Sequence, residues 1–503
     1  MLQLHKLLNI NNLYSLKFIR LCSSHTIFAL SSGQGKCGVA VIRISGPDSE
    51  RALQLVTNLS DVPKPRTAIL RSITHPRTQE VLDKGLILWF PGPRSFTGED
   101  SFELQVHGGV AVINAVLDAL GSIDRLRLAE PGEFTRRAFH NGKLDLTEVE
   151  GLADLLQAET ELQRKQAFLQ TQGSLSKVYN KWKNALIKCV ASIEAHIDFD
   201  ETDTLELNLL QVMMEDVKNL SNEIQNHLLD GHKGEILRTG VKTVIIGEPN
   251  VGKSSKRPAA IVTPIEGTTR DILEVTLNIG GYPLVLADTA GLRSKTEDLV
   301  EKEGISRALQ LYEKADLVLL IIDSEKYVKW KKEKLNESFM AYVKYYIKKL
   351  NLHNLLNDHV STFEQLFTKH CLVILNKTDL NNTETFNIRD NGVFLISCKT
   401  ENGITNLIQT ITDRLKILCG EPSQEHPSMN QQRHRQHLTD CLNCLNNFLN
   451  EYSSYNNQSD LSPDLVLMAE HLRKALRHLG KLVGTVTTEN LLDIIFKDFC
   501  IGK

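Results

Sequence analysis

The chain has 503 residues, a net charge of −3 and nine cysteines. That length gives about three domains with ample material for buried cores, the odd cysteine count without dense spacing excludes a disulfide scaffold, and no apolar run is long enough to span a membrane. A nucleic-acid binder with this near-neutral balance needs local basic patches rather than a basic whole.

Residues 1–47 contain no Asp or Glu, while Lys6, Lys17 and Arg20 punctuate Leu, Ile and Phe among Ser and Asn. That is a transit-peptide pattern, because charge interrupts the apolar core that a secretory signal needs; mitochondrial import with cleavage before about residue 26 is expected. Residues 36–145 alternate short β runs such as V-A-V-I-R-I and G-L-I-L-W-F with turns such as F-P-G-P and a helix near V-A-V-I-N-A-V-L, an α+β pattern. No proline lies between Pro131 and Pro249, and from Leu146 apolar residues recur at helical spacing: Val149, Leu152, Leu156, then Val178, Trp182, Leu186, Ile193 and Ile197. A long helical region is predicted there. Beyond a linker at Glu421–Pro427 the chain reads as helical again, ending in L-L-D-I-I-F-K-D-F, and there is no internal repeat.

Between the helical portions, Gly247 to Ser254 reads G-E-P-N-V-G-K-S after the apolar run K-T-V-I-I-G. In such a loop Gly247, Asn250, Val251 and Gly252 turn backbone N–H groups toward phosphates, Lys253 reaches the β and γ phosphates, and the Ser254 hydroxyl ligates Mg²⁺. Ser255 follows, then K-R-P-A-A-I-V-T-P, where Pro258 cuts the expected helix to about one turn. The G-T-T-R-D segment supplies Thr268 and Thr269, the latter a second Mg²⁺ ligand, and Asp288-Thr289-Ala290-Gly291 after L-V-L-A supplies a Walker B type carboxylate. Asn376-Lys377-Thr378-Asp379 follows the strand C-L-V-I-L. The Asp379 carboxylate can accept from guanine N1–H and the exocyclic amine, donors that adenine does not present in that arrangement. Ser397-Cys398-Lys399, after G-V-F-L-I, fits the last base-contacting loop. Four elements in order, each after a β run, select GTP over ATP.

Ras-like switches place Gln after the D-x-x-G glycine to orient the attacking water, but this chain has Leu292. Hydrolysis must therefore borrow a polar group and positive charge. The candidates are an acidic residue within Glu297 to Glu303 and a monovalent cation ligated by the Asn250 side chain.

Three further signals have plainer readings. The basic, aromatic segment Lys326 to Lys349 could touch RNA, but reads better as a solvated amphipathic helix. His434, His437, Cys441 and Cys444 mimic a metal set, yet one straight helix spreads them over more than two turns, so packing is expected. His107 in V-H-G-G is assigned no chemistry; a turn-supporting hydrogen bond and a ligand contact are both open.

With the switch motifs, the stretches S-G-Q-G-K-C-G-V-A-V-I-R-I-S-G-P and F-T-G-E-D-S-F-E-L-Q-V-H-G-G and the terminal F-C-I-G-K, the chain resembles the MnmE (TrmE) family of tRNA modification GTPases from about residue 26 to its last residue. The resemblance implies a multidomain fold, α/β plus all-α. A transit peptide would occupy 1–25 and an N-terminal α+β folate-binding domain 26–141. A discontinuous helical domain would be made of 142–235 and 421–503. A Ras-like P-loop GTPase domain would be inserted at 236–420, with an insertion at about 324–368. It further implies a homodimer whose GTPase domains pair, and a flavin-dependent partner protein. Together they would install an aminomethyl-type group, taurinomethyl in mitochondria, on C5 of the wobble uridine of tRNA. GTP, Mg²⁺, K⁺ and a tetrahydrofolate one-carbon derivative are the implied cofactors.

The family's folate-contacting residues match Arg43, Glu103 and Lys143, with Lys503 at the terminus. Arg and Lys suit carboxylates and Glu suits a pterin edge. Its K⁺ ligands match Asn250, Thr263, Ile265 and Thr268, and its water-positioning glutamate matches Glu301, with Asp298 and Glu303 as runners-up because one extra residue precedes it. Cys500 in C-I-G-K would lie near the folate pocket and be required for modification; Lys497 and Lys503 would favour its thiolate and Asp498 oppose it. Prenylation fits Gly502 and Lys503 poorly, and burial as a small apolar residue is the other alternative.

Against the family pattern the chain lacks about six residues after Ser255, most of the helix seated under the phosphates. Survival of the other motifs favours a defective gene model or splice variant over redesign. The competing functional reading is a nucleotide-independent scaffold that binds folate and tRNA.

Overall fold

The computed structural model describes residues 25–33, 35–198, 206–248, 251, 274–287, 312–350, 352, 356, 366–367, 370–380, 392–425, 427–456, 464–485, 492, 495–496 and 499–502. Two compact units are present: Met1–Ala153, Gln170–Val217 and Asn443–Lys503 form one, and Asp154–Leu169 with Lys218–Leu442 the other.

The first unit begins with strands β1 (Thr26–Leu30), β2 (Val39–Ser45), β3 (Ile69–Thr74), β4 (Val81–Phe90), β5 (Ser101–His107) and β6 (Leu126–Leu128) in the order β3-β4-β5-β2-β1-β6. All neighbours are antiparallel except β1 and β6. The period-2 alternation of V-A-V-I-R-I-S sends Ala40, Ile42 and Ile44 to one face, where they pack with α1 (Ser49–Thr57) and α2 (Val110–Gly121). The opposite face carries Ile27 and Ala29 under Phe134 of α3 (Glu133–His140) and Phe96. A strand face left partly polar beneath one short helix is where this sheet can meet a ligand.

The long helical region predicted from Leu146 is present as α4 (Leu146–Gln157), α5 (Glu161–Thr171), α6 (Ser174–Asp198) and α7 (Glu206–Thr239).

The second unit has β7 (Val241–Ile246), β8 (Glu274–Ile279), β9 (Tyr282–Ala287), β10 (Leu317–Asp323), β11 (His370–Asn376) and β12 (Val393–Leu395), ordered β12-β11-β10-β7-β9-β8. The sheet is parallel except for the β8–β9 hairpin. Gly280 and Gly281, at φ +59° and +89°, make its two-residue turn, a conformation that needs positive φ at both positions. Strand β10, L-V-L-L-I-I-D, is buried throughout, as a parallel strand covered on both faces must be. One face packs on α8 (Ser324–Glu333) and α9 (Phe339–Lys349), the other on α10 (Ile404–Cys419). Chain order reverses around β7, so the carboxyl end of β7 is a topological switch point, the place where open α/β sheets bind ligands.

Residues 326–349 form two helices rather than one: Ser338 caps α9, its side chain accepting from Ala341 N–H, and Phe339, Tyr342, Val343, Tyr346 and Ile347 enter the core. The segment is thus the covering layer of the sheet on its aromatic side and solvated only on its lysine side. In α11 (Gln432–Asn456) His434 and Cys441 are fully buried, whereas His437 and Cys444 are half-buried. Helix α12 (Leu465–Val483) buries Met468, Leu472, Ala475, Leu479 and Leu482, a 3–4 spaced stripe against α6, which buries Leu175, Tyr179, Trp182, Leu186 and Ile193. No helix among the described residues is long and apolar enough to cross a membrane.

Candidate functional site

Strand β7 delivers Gly247 and Glu248 to the switch point. A Cβ at Gly247 would lie 2.5 Å from the Ile321 carbonyl oxygen of β10, so only glycine lets the loop leave the sheet this closely. The Tyr346 hydroxyl accepts from Glu248 N–H at 2.8 Å and donates to the Ile321 carbonyl at 3.0 Å, tying the loop to β10. Burial pushes the Tyr346 phenol upward, which keeps it a neutral donor. Glu248 pairs with Lys326 and, at 2.7 Å, with Lys349. Burial pushes its carboxyl upward, but hydrogen bonds from the two ammonium groups outweigh this and hold it below the ordinary glutamate range.

The residues expected from sequence to read the base converge beside this loop. Asn376 ends β11 and is 2% exposed. Its Nδ2 donates to the Val251 carbonyl at 2.9 Å and its Oδ1 accepts from Cys398 N–H at 3.1 Å. One amide therefore staples the phosphate loop to the loop after β12, which sequence spacing alone did not show. Lys377 takes φ +67°; its Nζ lies 2.6 Å from Asp323 Oδ2, and its carbonyl accepts from Ser324 Oγ at 2.9 Å. Asp379 accepts from Ser397 Oγ at 2.6 Å, and Ser397 Oγ in turn accepts from Lys399 and Thr400 N–H at 3.3 and 3.2 Å. A carboxylate has about four acceptor positions, so Ser397 aims Asp379 and leaves acceptor capacity for two further donors. Gly247, Val251, Asn376, Lys377, Asp379, Ser397, Cys398 and Lys399 are thus all at the carboxyl end of this sheet. Asn250, Gly252, Lys253, Ser254, Ser255, Thr263, Ile265, Thr268, Thr269, Asp288, Gly291, Leu292, Asp298, Glu301, Glu303, Lys497, Asp498 and Lys503 lie outside the described residues.

The first unit has its own polar constellation. Arg43 and Glu103 are cross-strand partners on β2 and β5. Arg43 Nε donates to Glu103 Oε1 at 2.9 Å, with both side chains about one-fifth exposed. The guanidinium lies 5.0 Å from the Phe96 ring centroid and 5.8 Å from that of Phe134, a cation–π seat. Behind it, buried Arg137 pairs with Glu99 at 3.0 Å and Glu133 at 2.9 Å, and Glu99 also accepts from Ser45 Oγ at 2.9 Å. Lys143 Nζ donates to the Pro93 carbonyl at 3.1 Å. Phe96, Phe134, Glu99 and Arg137 were not singled out from sequence, because only the register brings them to the face that bears Arg43. His107 has a structural partner: its N–H and Nδ1 each lie 2.8 Å from the Asp83 carboxylate.

The chain end reaches the same sheet. Phe496 and Phe499 pack with Leu146 and Val149, Ile501 bridges Pro131, and Ser31 Oγ donates to the Gly502 carbonyl at 2.9 Å. Ser31 follows β1, whose Ala29 is the cross-strand partner of Arg43. Cys500 is exposed, not a buried apolar filler.

Two family profiles match the chain in succession. The profile of the TrmE N-terminus, described as a GTP-binding protein, matches residues 26–143, and that of the MnmE helical domain matches residues 146–500. The chain is 47% identical over 493 residues to the Danio rerio protein named 5-taurinomethyluridine-[tRNA] synthase subunit GTPB3, mitochondrial, spanning 95% of this chain and 93% of the relative. The Homo sapiens protein of that name is 44% identical, spanning 96% and 94%. The tRNA modification GTPase MnmE of Rickettsia prowazekii is 40% identical, spanning 95% and 100%. With matched sequence running from the first strand to the terminal tail, the chain belongs to the MnmE/TrmE family of tRNA modification GTPases, as a mitochondrial member.

Proposed function

We propose that the chain binds and hydrolyses GTP and, with a flavin-dependent partner protein, installs an aminomethyl-type group, taurinomethyl in mitochondria, on C5 of the tRNA wobble uridine. The observation that carries the nucleotide half is the Asn376 staple: the phosphate-loop carbonyl at Val251 and the Cys398 amide meet on one buried side chain, with Asp379 aimed by Ser397. This donor and acceptor set fits a guanine nucleotide. Asp379 would accept from the guanine edge, Lys377 would lie along the base, and Lys253, Ser254 and Thr269 would hold the phosphates and Mg²⁺. Asn250, Thr263, Ile265 and Thr268 would hold K⁺. The two cations supply positive charge at the phosphates when bound. Leu292 cannot align water, so Glu301 is proposed to position it.

The Arg43–Glu103 pair, with the Phe96 and Phe134 rings beside the Arg43 guanidinium, fits a folate: the rings offer a face, Glu103 would accept from a pterin edge, and Lys143 and Lys503 would meet carboxylates. Cys500, exposed on a tail docked beside β1, is proposed as the group that serves the modification chemistry. The domain plan in this reading is 26–141 for folate, a discontinuous helical domain of 142–235 and 421–503, and an inserted GTPase domain of 236–420 in a homodimer. The scaffold alternative keeps the folate and tRNA roles and drops the nucleotide, its motive being the short segment after Ser255.

The test is mass analysis of the wobble uridine after incubating unmodified mitochondrial tRNA with this chain, its flavoprotein partner, GTP, K⁺ and the folate one-carbon donor. A C5 adduct that requires this chain is expected. Unmodified uridine with a partner shown to be active would contradict the proposal.

A further inference from the structure

Between Lys326 and Lys349 the chain carries eight lysines against two glutamates, Glu333 and Glu337. Lys326 and Lys349 are bound to Glu248, and Lys331 donates to the Glu337 carbonyl. No ion pair among the described residues engages Lys329, Lys332, Lys334, Lys344 or Lys348. Three of them (329, 332 and 334) are on or just beyond α8, and two (344 and 348) are one turn apart on α9. The aromatic side chains of these helices split into two sets. Tyr327, Phe339, Tyr342 and Tyr346 enter the core, whereas Tyr345 is 49% exposed and stacks on Trp330 at 6.3 Å and 26°, at the seam between the helices. A solvated helix face explains the lysines, but it does not explain a half-exposed tyrosine stacked on tryptophan in their midst.

We propose that this face of α8 and α9 binds an unpaired stretch of RNA, the lysines meeting phosphates and the Tyr345–Trp330 pair offering a stacking platform for a base. The proposal rests on the tRNA reading above and gives that substrate a surface on the GTPase unit. A membrane fits less well: an interfacial helix needs an apolar face to insert, and here that face is already spent on the core. Because α9 also carries Tyr346 and Lys349, which hold Glu248 of the phosphate loop, RNA on the outer face would press on the inner one.

The test is fluorescence anisotropy with a short labelled single-stranded RNA and, separately, an unmodified tRNA transcript, across a salt series with the full chain. A Lys329→Ala/Lys332→Ala/Lys344→Ala/Lys348→Ala variant should lose affinity about 10- to 100-fold, and its log–log salt slope should flatten by about 0.7 for each phosphate contact removed. Tyr345→Ala should weaken single-stranded RNA binding at least about five-fold while Tyr345→Phe retains it. GTP affinity should not change in either variant, which separates a lost surface from a lost fold. Wild-type RNA affinity and slope in the lysine variant would overturn the proposal and leave the tRNA reading standing. Loss of binding to anionic phospholipid vesicles with RNA binding intact would overturn it in favour of a membrane. A wild-type chain that binds neither RNA would overturn both the surface and the reading it rests on.

Discussion

The Asn376 side chain donates to the Val251 carbonyl at 2.9 Å, joining the end of β11 to the phosphate loop that follows β7. With Oδ1 held by Cys398 N–H, the amide is satisfied on both sides in a site only 2% exposed. Asn376→Ala removes the donor to the buried Val251 carbonyl and the acceptor for the half-buried Cys398 N–H, and an unmade hydrogen bond to a buried group costs about 1–3 kcal/mol. Stability should fall by about 2 kcal/mol or more in chemical denaturation, and GTP affinity should fall with it. Asn376→Asp, which cannot donate to Val251 when ionised, should do no better.

In the proposed GTP site Asp379 is the residue that reads the base. Replacing its carboxylate by an amide removes two charge-assisted acceptor interactions worth about 1.5–3 kcal/mol each, so Asp379→Asn should weaken GTP by about a hundred- to ten-thousand-fold. Xanthine carries an oxygen where guanine carries the amine, so the same variant should gain affinity for xanthosine triphosphate. Competition binding with the two nucleotides measures the switch; equal losses for both would show that Asp379 only supports the fold.

Glu248 gives the phosphate loop a pH dependence. Its folded carboxyl lies below the ordinary value of 4.5 because the lysine hydrogen bonds outweigh burial. A depressed acid contributes stability above its unfolded value and loses it as pH falls through the folded one. Wild-type chain should therefore exceed Glu248→Gln in stability at neutral pH, and the gap should close as pH drops below about 4.5. Urea midpoints at successive pH values follow it. Tyr346→Phe removes both hydrogen bonds of the hydroxyl without changing shape, and its cost of about 1–3 kcal/mol should persist across that range.

What the sequence showed and what it hid follow from the range of the interactions. The N-K-T-D and S-C-K loops are legible because each follows an apolar run, C-L-V-I-L and G-V-F-L-I, that folds as β11 and β12. The stripe Trp182, Leu186 and Ile193 announced its helix by spacing alone. Nothing local announces that Tyr346 supports Glu248, 98 residues away in sequence, or that Phe96 and Phe134 flank Arg43. Those contacts depend on register and on how α9 and α3 lie on their sheets. The break of the basic segment at Ser338 was missed for a related reason: its lysines mask a capping serine inside an apparently continuous amphipathic pattern.

The terminal tail is held by backbone fit. A Cβ at Gly502, which has φ +98°, would lie 2.1 Å from the Leu30 carbonyl oxygen, and one at Gly132 would lie 2.4 Å from that of Phe496. Gly502→Ala should release the tail, so limited proteolysis should clip the C-terminus faster while GTP hydrolysis is unchanged. Cys500→Ser keeps the tail docked and should abolish wobble-uridine modification with GTP hydrolysis intact. Loss of hydrolysis in either variant would mean the tail supports the fold rather than the chemistry.

The most direct measurement is GTP hydrolysis by the purified chain beginning near residue 26, in K⁺ and then in Na⁺ buffer, beside a Lys253→Ala control. Turnover that needs K⁺ and disappears in the control is the expected result, because the proposed mechanism places K⁺ beside the phosphates and Lys253 on them. Absence of both turnover and GTP binding would contradict the account and leave the nucleotide-independent scaffold.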